Sequence, residues 1–314
     1  MKRETGKWII LLSGAALIAL LLRYFAFTSC LIPSSGMENS LFQGERILVN
    51  KWSYGLRLPF MSLLPYNRWM EKPVKRGQII VFNNPAQSTQ PIIDKRSIYI
   101  SRCIGVPGDT LLTDSLFNTV SSLKQAPPDG KQLYVYPRLK ESSIDSLLSK
   151  LSIEGNQLMG QNEKENVRSF SRYEYYLLQQ ALGLGKQSWI HSLKSKRKNE
   201  MHPFVIPGKG KFIKVTPWNI TLLRNTLVLH EGKQAEVIND TLYVDGRSTR
   251  HCYFSKNYYW VASDNSINLA DSRLFGLVPK DHIIGKASFI WFSKKENTGA
   301  FRGYRWNRFF SSIH

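Results

Sequence analysis

Four short segments hold the residues whose types and spacing can do chemistry. The first is Ile32-Pro-Ser-Ser-Gly-Met-Glu-Asn-Ser-Leu41, where the hydroxyls of Ser34 and Ser35 precede Gly36 and Met37. The second is Lys75-Arg-Gly-Gln-Ile-Ile-Val-Phe82, and the third is Tyr99-Ile-Ser-Arg-Cys-Ile-Gly-Val-Pro-Gly-Asp109. The fourth is Ser263-Asp-Asn-Ser-Ile-Asn-Leu-Ala-Asp-Ser-Arg273. A serine hydroxyl attacks a carbonyl only when a base takes its proton, and a lysine is such a base only when burial lowers its pKa. Asp271 and Arg273 offer a carboxylate and a guanidinium close enough to brace a turn. Other chemistries lack their residues. The six histidines show no HExxH or other ligand spacing, which excludes a histidine-built metal site. The three cysteines are too scattered for a disulfide scaffold or a CxxC zinc site, although a bridge between Cys103 and Cys252 stays open. Gly183-Leu-Gly-Lys186 lacks the Ser or Thr that a phosphate loop needs, and no cofactor is expected.

These segments need elements to position them. With 314 residues, 42% of them hydrophobic, the chain can bury a sizeable core and has the length of about two domains. Residues 1–7 form a basic stub, and Trp8 to Phe27 is an apolar run of spanning length if Arg23 reaches the far interface. The basic residues in front keep the N-terminus cytoplasmic, which puts the bulk of the chain outside the cytoplasm. The excess of 43 Lys+Arg over 23 Asp+Glu, a net +20, then points to anionic membrane lipid and away from nucleic acid. Its densest cluster, Lys194 to Lys198, reads as a solvated loop. Apolar runs at 46–50 and 78–82, and the alternating run 97–104, predict strands. Ile144, Leu147, Leu148 and Leu151 predict a helix behind an N-cap at Ser142-Ser143, and 173–184 predicts a second. Residues 235–246 predict a hairpin turning at Asn239-Asp240, with a further turn at Asp245-Gly246. The basic aromatic tail 297–314 is read either as lying on lipid headgroups or as a frayed end.

The four segments, in order behind one apolar run, resemble bacterial type I signal peptidases, the membrane-bound serine endopeptidases of peptidase family S26 that remove signal peptides from exported preproteins. The segment Asp94-Lys-Arg-Ser-Ile-Tyr-Ile100 and a long insertion resemble the Bacteroides-type branch. The resemblance implies a mainly β fold: a single N-terminal transmembrane helix (8–27), then an antiparallel β core (28–110 and 250–296) with an α+β insertion (111–249; helical 140–185, hairpins 210–249). It also implies a single-pass protein of the bacterial inner membrane.

That family works with a Ser–Lys dyad, and here the dyad is missing. The family's nucleophile precedes the Met of the first segment, where this chain has Gly36. Its base precedes the Arg of the third segment, where this chain has Ser101. The serine that orients the lysine is replaced by Leu269, while Ser263 and Ser266 stand where the family has Gly and Arg. A glycine cannot be acylated and a serine is not an amine base, so the resemblance implies a proteolytically impaired protein that binds signal peptides or regulates an active paralogue. Two alternatives remain: cleavage by a fallback nucleophile such as Ser35, or an envelope structural role that reuses the fold. Lys95 lies six residues before Ser101, about 20 Å along a strand, too far to act without a fold-back. Ser34 matches a serine that assists the oxyanion hole. Substrate contacts are expected from Ile32, Met37, Leu41, Ile79, Val81 and Phe82, by addition of an extended peptide to a strand edge. Arg102, Asp264, Asn265, Asp271, Ser272 and Arg273 are expected to be structural.

Overall fold

A computed structural model describes residues 2–38, 40–58, 61, 65–113, 132–151, 153, 156, 158–170, 172–182, 189–193, 201–264, 271–296, 298–299 and 301–313. The chain opens with helix α1 (Lys2–Leu21), continues through a π turn (Leu22–Ala26) and enters strand β1 (Phe27–Leu31). The expected anchor therefore divides: Phe27 pairs with Asn50 as the first residue of a strand. No helix among the described residues is long and apolar enough to cross a membrane. The side chains of Leu11, Leu12, Leu17, Ile18 and Leu20 on α1 are all more than half exposed.

After a 3-10 turn at Ser35–Met37 the chain returns as β2 (Glu45–Asn50), then makes the short hairpin β3 (Leu56–Arg57) and β4 (Arg68–Trp69), β5 (Ile79–Asn83) and β6 (Ile98–Gly105). Strand β7 (Thr110–Thr113) leads into a separate sheet of β8 (Gln132–Pro137), β9 (Leu158–Gln161), β10 (Glu165–Phe170) and β11 (His191–Ser192), ordered β11-β8-β10-β9. Its helices are α2 (Glu141–Lys150) and α3 (Arg172–Ala181). Both sit where the apolar periodicity puts them, but α2 starts before Ser142-Ser143, so these serines lie inside the helix and cap nothing. Ile144, Leu148, Phe170 and Leu178 close the core of this unit. Arg168 is buried among its partners Glu141, Asp145 and the Tyr136 hydroxyl.

The next stretch holds β12 (His202–Val205), β13 (Phe212–Lys214), α4 (Ile220–His230), β14 (Ala235–Ile238), β15 (Thr241–Val244), β16 (Arg247–Thr249) and β17 (His251–Tyr253). The hairpins turn where expected, with Asn239, Asp240, Asp245 and Gly246 all at positive φ. Helix α4 was not legible as such: Ile220, Leu223 and Leu227 fall on one face, but β-favouring residues surround them. The stretch 111–249 thus holds two packing units. Phe204, Ile213, Leu223 and Leu242 share a core with Trp260 and Leu277, whereas 132–193 has its own.

The chain ends with β18 (Tyr258–Ala262), α5 (Ser272–Phe275), β19 (Val278–Pro279), β20 (Ile283–Ser293) and β21 (Ser311–Ser312). The main sheet runs β1-β2-β20-β5-β6-β18-β19, with β21 added on β20, and all its pairs are antiparallel. The tail is not frayed. Arg308 pairs with Glu45, which is fully buried, and donates to the Ser40 carbonyl at 2.8 Å, while its guanidinium lies over Phe42. Cys103 and Cys252 are free thiols buried in different clusters, so no bridge joins them.

Candidate functional site

One buried ion pair ties the four segments together. Arg102, on β6, donates to Asp264 from Nε at 2.9 Å and Nη2 at 3.0 Å. The same guanidinium reaches Ser40 Oγ at 2.6 Å and the Gly77 carbonyl at 2.7 Å. First, second, third and fourth segments thereby meet at one guanidinium, with the Asp264 side chain 1% exposed. Charge-assisted bonds of this kind are strong, and removing one partner strands the other charge in the core. Asp271 accepts from the Ser263 amide at 2.8 Å, caps α5 through the Arg273 amide and pairs with the Arg273 guanidinium at 2.6 Å. Ser272 Oγ takes the Val261 amide at 2.9 Å. Asn265, Ser266 and Leu269 lie outside the described residues.

The turn that leads to Ser40 and the strand that leads to Arg102 also line a cavity of about 320 Å³. Its walls are β1 and the residues after it (Ser29–Pro33), the turn carrying Ser34, Gly36 and Met37, and the first half of β6 (Ile98–Ile100). Strand β1 pairs only with β2, so its outer edge is unpaired among the described residues. Strand β18 pairs with β6 only from Arg102 to Gly105, which leaves Ile98–Ile100 without a strand neighbour on that side among the described residues. Two free edges thus border one apolar cleft, the arrangement that accepts an extended peptide as an added strand.

The expected site residues divide three ways. Ser34, Gly36, Met37 and Ile32 are on the cavity wall; Ser35, half-buried in the same turn, is not. Gly36 is buried and not at positive φ, so the backbone itself does not require a glycine there. Contrast Gly44, at φ +84, where a Cβ would fall 2.1 Å from the Lys294 carbonyl oxygen. Ser101 is fully buried opposite Ile80, on the β6 face that carries Tyr99 and Cys103 into the core. Lys95 is exposed on a 3-10 turn ahead of β6. Leu41, Ile79, Val81 and Phe82 are sealed in the core. Strand β5 lies between β20 and β6, so both its edges are used and it offers none to a ligand.

Three residues hold places that the sequence reading did not give them. Cys30 lines the cavity, and burial pushes its thiol up despite the nearby Lys51 charge. Lys51 is half-buried, and its pKa is lowered by burial and then by Arg57, but its ammonium donates to the Arg23 carbonyl at 3.1 Å. It is the sort of depressed amine a serine nucleophile needs, yet it is not on the cavity wall. Ser40 closes the Arg102–Asp264 ring. The burial of Glu45 was the missed clue to the tail, since a buried carboxylate needs a cation and Arg308 supplies it.

A family model described as signal peptidase, peptidase S26, matches residues 5–116 and 224–292. The chain is similar to the signal peptidase I of Buchnera aphidicola subsp. Schizaphis graminum, 28% identical over 286 residues, which cover 89% of this chain and 73% of the relative. It is similar to the signal peptidase I of Aquifex aeolicus, 26% identical over 292 residues, covering 92% and 85%. The signal peptidase I of Helicobacter pylori strain J99 is 23% identical over 326 residues, covering 96% and 90%. The matched stretches contain the braced segments and both walls of the cleft, and the chain belongs to the signal peptidase family, peptidase S26.

Proposed function

We propose that this protein binds the signal peptides of exported preproteins in the cleft between β1 and β6 and does not cleave them. What supports this reading is an open strand-addition cleft with Gly36 on its wall, the residue before Met37 to which the resemblance assigns the nucleophile. A peptide entering as a strand gains main-chain hydrogen bonds on both sides, and alternate side chains drop into the apolar space lined by Ile32, Met37 and Ile100. Chemistry then stops: Gly36 has no oxygen to acylate, and the hydroxyl of Ser101 cannot take a proton at neutral pH. The Ser34 hydroxyl still lines the cleft as a donor to a peptide carbonyl. By holding signal peptides, the protein competes with an active paralogue for substrate.

In this reading the site works at the outer face of the inner membrane, held there by the apolar part of α1. Support comes from α1, whose five exposed Leu and Ile side chains form an apolar surface that water disfavours and lipid does not. A photo-crosslinker at position 98 of the full-length protein tests the binding reading, with a synthetic signal peptide as target. Labelling at 98 that excess unlabelled peptide suppresses, and none from a crosslinker at exposed Phe212, is the expected result. Equal labelling from both positions would sink it.

A further inference from the structure

The hairpin β3–β4 sets two arginines directly opposite each other: Arg57 and Arg68 are register partners across the pair. Like charges in such positions destabilise a hairpin, because their Cβ atoms are only about 5 Å apart. Here both are also buried, Arg57 with 8% of its side chain exposed and Arg68 with 5% of the residue. Burial presses the Arg57 pKa down, and the Arg68 charge adds to the effect while Asp94 opposes it.

Their hydrogen-bond partners fall short. Arg57 donates to Asn83 Oδ1 at 3.2 Å, to Met61 Sδ at 2.8 Å and to Asp94, and its Nε has no partner. Arg68 donates from Nη2 to the Ile283 carbonyl, and among the described residues its Nε and Nη1 face no acceptor beyond the neighbouring Tyr66 oxygen. The Tyr66 hydroxyl lies buried with its oxygen toward the Arg68 guanidinium, and its O–H proton has no acceptor among the described residues. Buried N–H groups left unpaired are costly, and those on charged groups most of all. The nearby carboxylates do not balance the charge. Asp94 serves Arg57, and Asp281 is taken by Lys256 at 2.7 Å and His282 at 2.8 Å.

We propose that Arg57, Arg68 and Tyr66 form a binding site for one oxyanion of single negative charge, a carboxylate or a phosphodiester. Two guanidinium charges against the one carboxylate of Asp94 leave a single positive charge, which one monoanion cancels. The three guanidinium nitrogens Arg57 Nε, Arg68 Nε and Arg68 Nη1, with the tyrosine O–H, are donors that an oxyanion's oxygens accept. The ligand has two possible sources. One is a free anion; the other is the phosphodiester of a phospholipid headgroup, because Lys51 and Trp52, just ahead of the hairpin, donate to the Arg23 and Phe25 carbonyls where α1 gives way to β1.

The test uses the full-length protein, with thermal unfolding followed by tryptophan fluorescence. In neutral detergent it is titrated with sodium formate and with sodium dimethyl phosphate at constant ionic strength against chloride. In nanodiscs, phosphatidylglycerol is compared with phosphatidylcholine. A saturable rise in Tm of roughly 4 °C at a hundred times Kd is expected with at least one probe. Arg68→Met should abolish that response, and Tyr66→Phe, which keeps the ring, should weaken the apparent affinity several-fold. Saturation by the free anions identifies a soluble ligand. A rise only in phosphatidylglycerol discs, lost in Tyr66→Phe, identifies the headgroup. An equal response in wild type and Tyr66→Phe, or no response in any arm, overturns the site.

Discussion

The brace that joins the four segments and the positions that should do the cleft's chemistry make a sharp contrast. In the brace, Arg102, Asp264, Ser40, Asp271 and Arg273 are joined into rings of short hydrogen bonds. In those positions, Gly36 and Ser101 are small and uncharged, one on the cavity wall and one in the core. The difference lies in what each region owes to folding. A buried charge that loses its partner costs about 3–5 kcal/mol, so the brace cannot be dismantled piecemeal. A nucleophile and its base hold no such debt. On the proposed reading their absence strands no charge, and the scaffold keeps its shape without its chemistry.

If only the chemistry is missing, putting it back should have the largest effect. The triple variant Gly36→Ser, Ser101→Lys, Leu269→Ser is expected to raise preprotein cleavage by at least roughly three orders of magnitude over the parent, the scale on which catalytic units act. A triple variant that binds signal peptide but still fails to cleave would mean that the cleft has also been reshaped.

Attacking the brace should do the reverse. Arg102→Met leaves the Asp264 carboxylate buried and unpaired, and should lower stability by about 3–5 kcal/mol in chemical denaturation. A loss below ~1 kcal/mol would show the brace to be less important than its geometry suggests. The tail gives a milder version of the same experiment. Arg308→Ala removes the cation over Phe42 and the partner of Glu45, and about 2 kcal/mol should go with it. If the tail were merely resting on the sheet, the midpoint would not move.

The pH dependence is the smallest effect when read per pH unit, and it lies away from both regions. His230 is pushed down to about 3 by burial, reinforced by His282 and opposed by Asp281. The unfolded chain takes up that proton near 6.5, so unfolding binds a proton that the native state refuses. Stability is therefore complete above about pH 6.5 and falls as the pH drops toward 3, by up to ~1.4 kcal/mol per unit from this group. His282, also lowered chiefly by burial, acts in the same direction. His230→Gln should flatten the slope of stability against pH between 4 and 6 by one proton.

Much of this was legible beforehand because local rules and tertiary demands agreed. The Asn239-Asp240 and Asp245-Gly246 turns require left-handed backbone, and the residues there tolerate it. The Asp271–Arg273 pair is local, two residues apart, and so visible in sequence. What was hidden depends on distant partners. Ile79, Val81 and Phe82 read as a strand, but whether a strand is central or at an edge is decided by β20 and β6, not by its own residues. The open edge of β1 was missed for the same reason. Helix α4 lost to propensity until its Leu223–Leu227 face met Trp260 and Leu277. Glu45 and Arg308 are separated by most of the chain, and no spacing rule joins them.

The most direct test incubates the full-length protein in detergent with a preprotein and follows both cleavage and covalent labelling by intact-mass spectrometry. The account predicts uncut preprotein and an unmodified polypeptide. Cleavage that Ser35→Ala abolishes, or an acyl adduct on Ser34, Ser35 or Cys30, would contradict it.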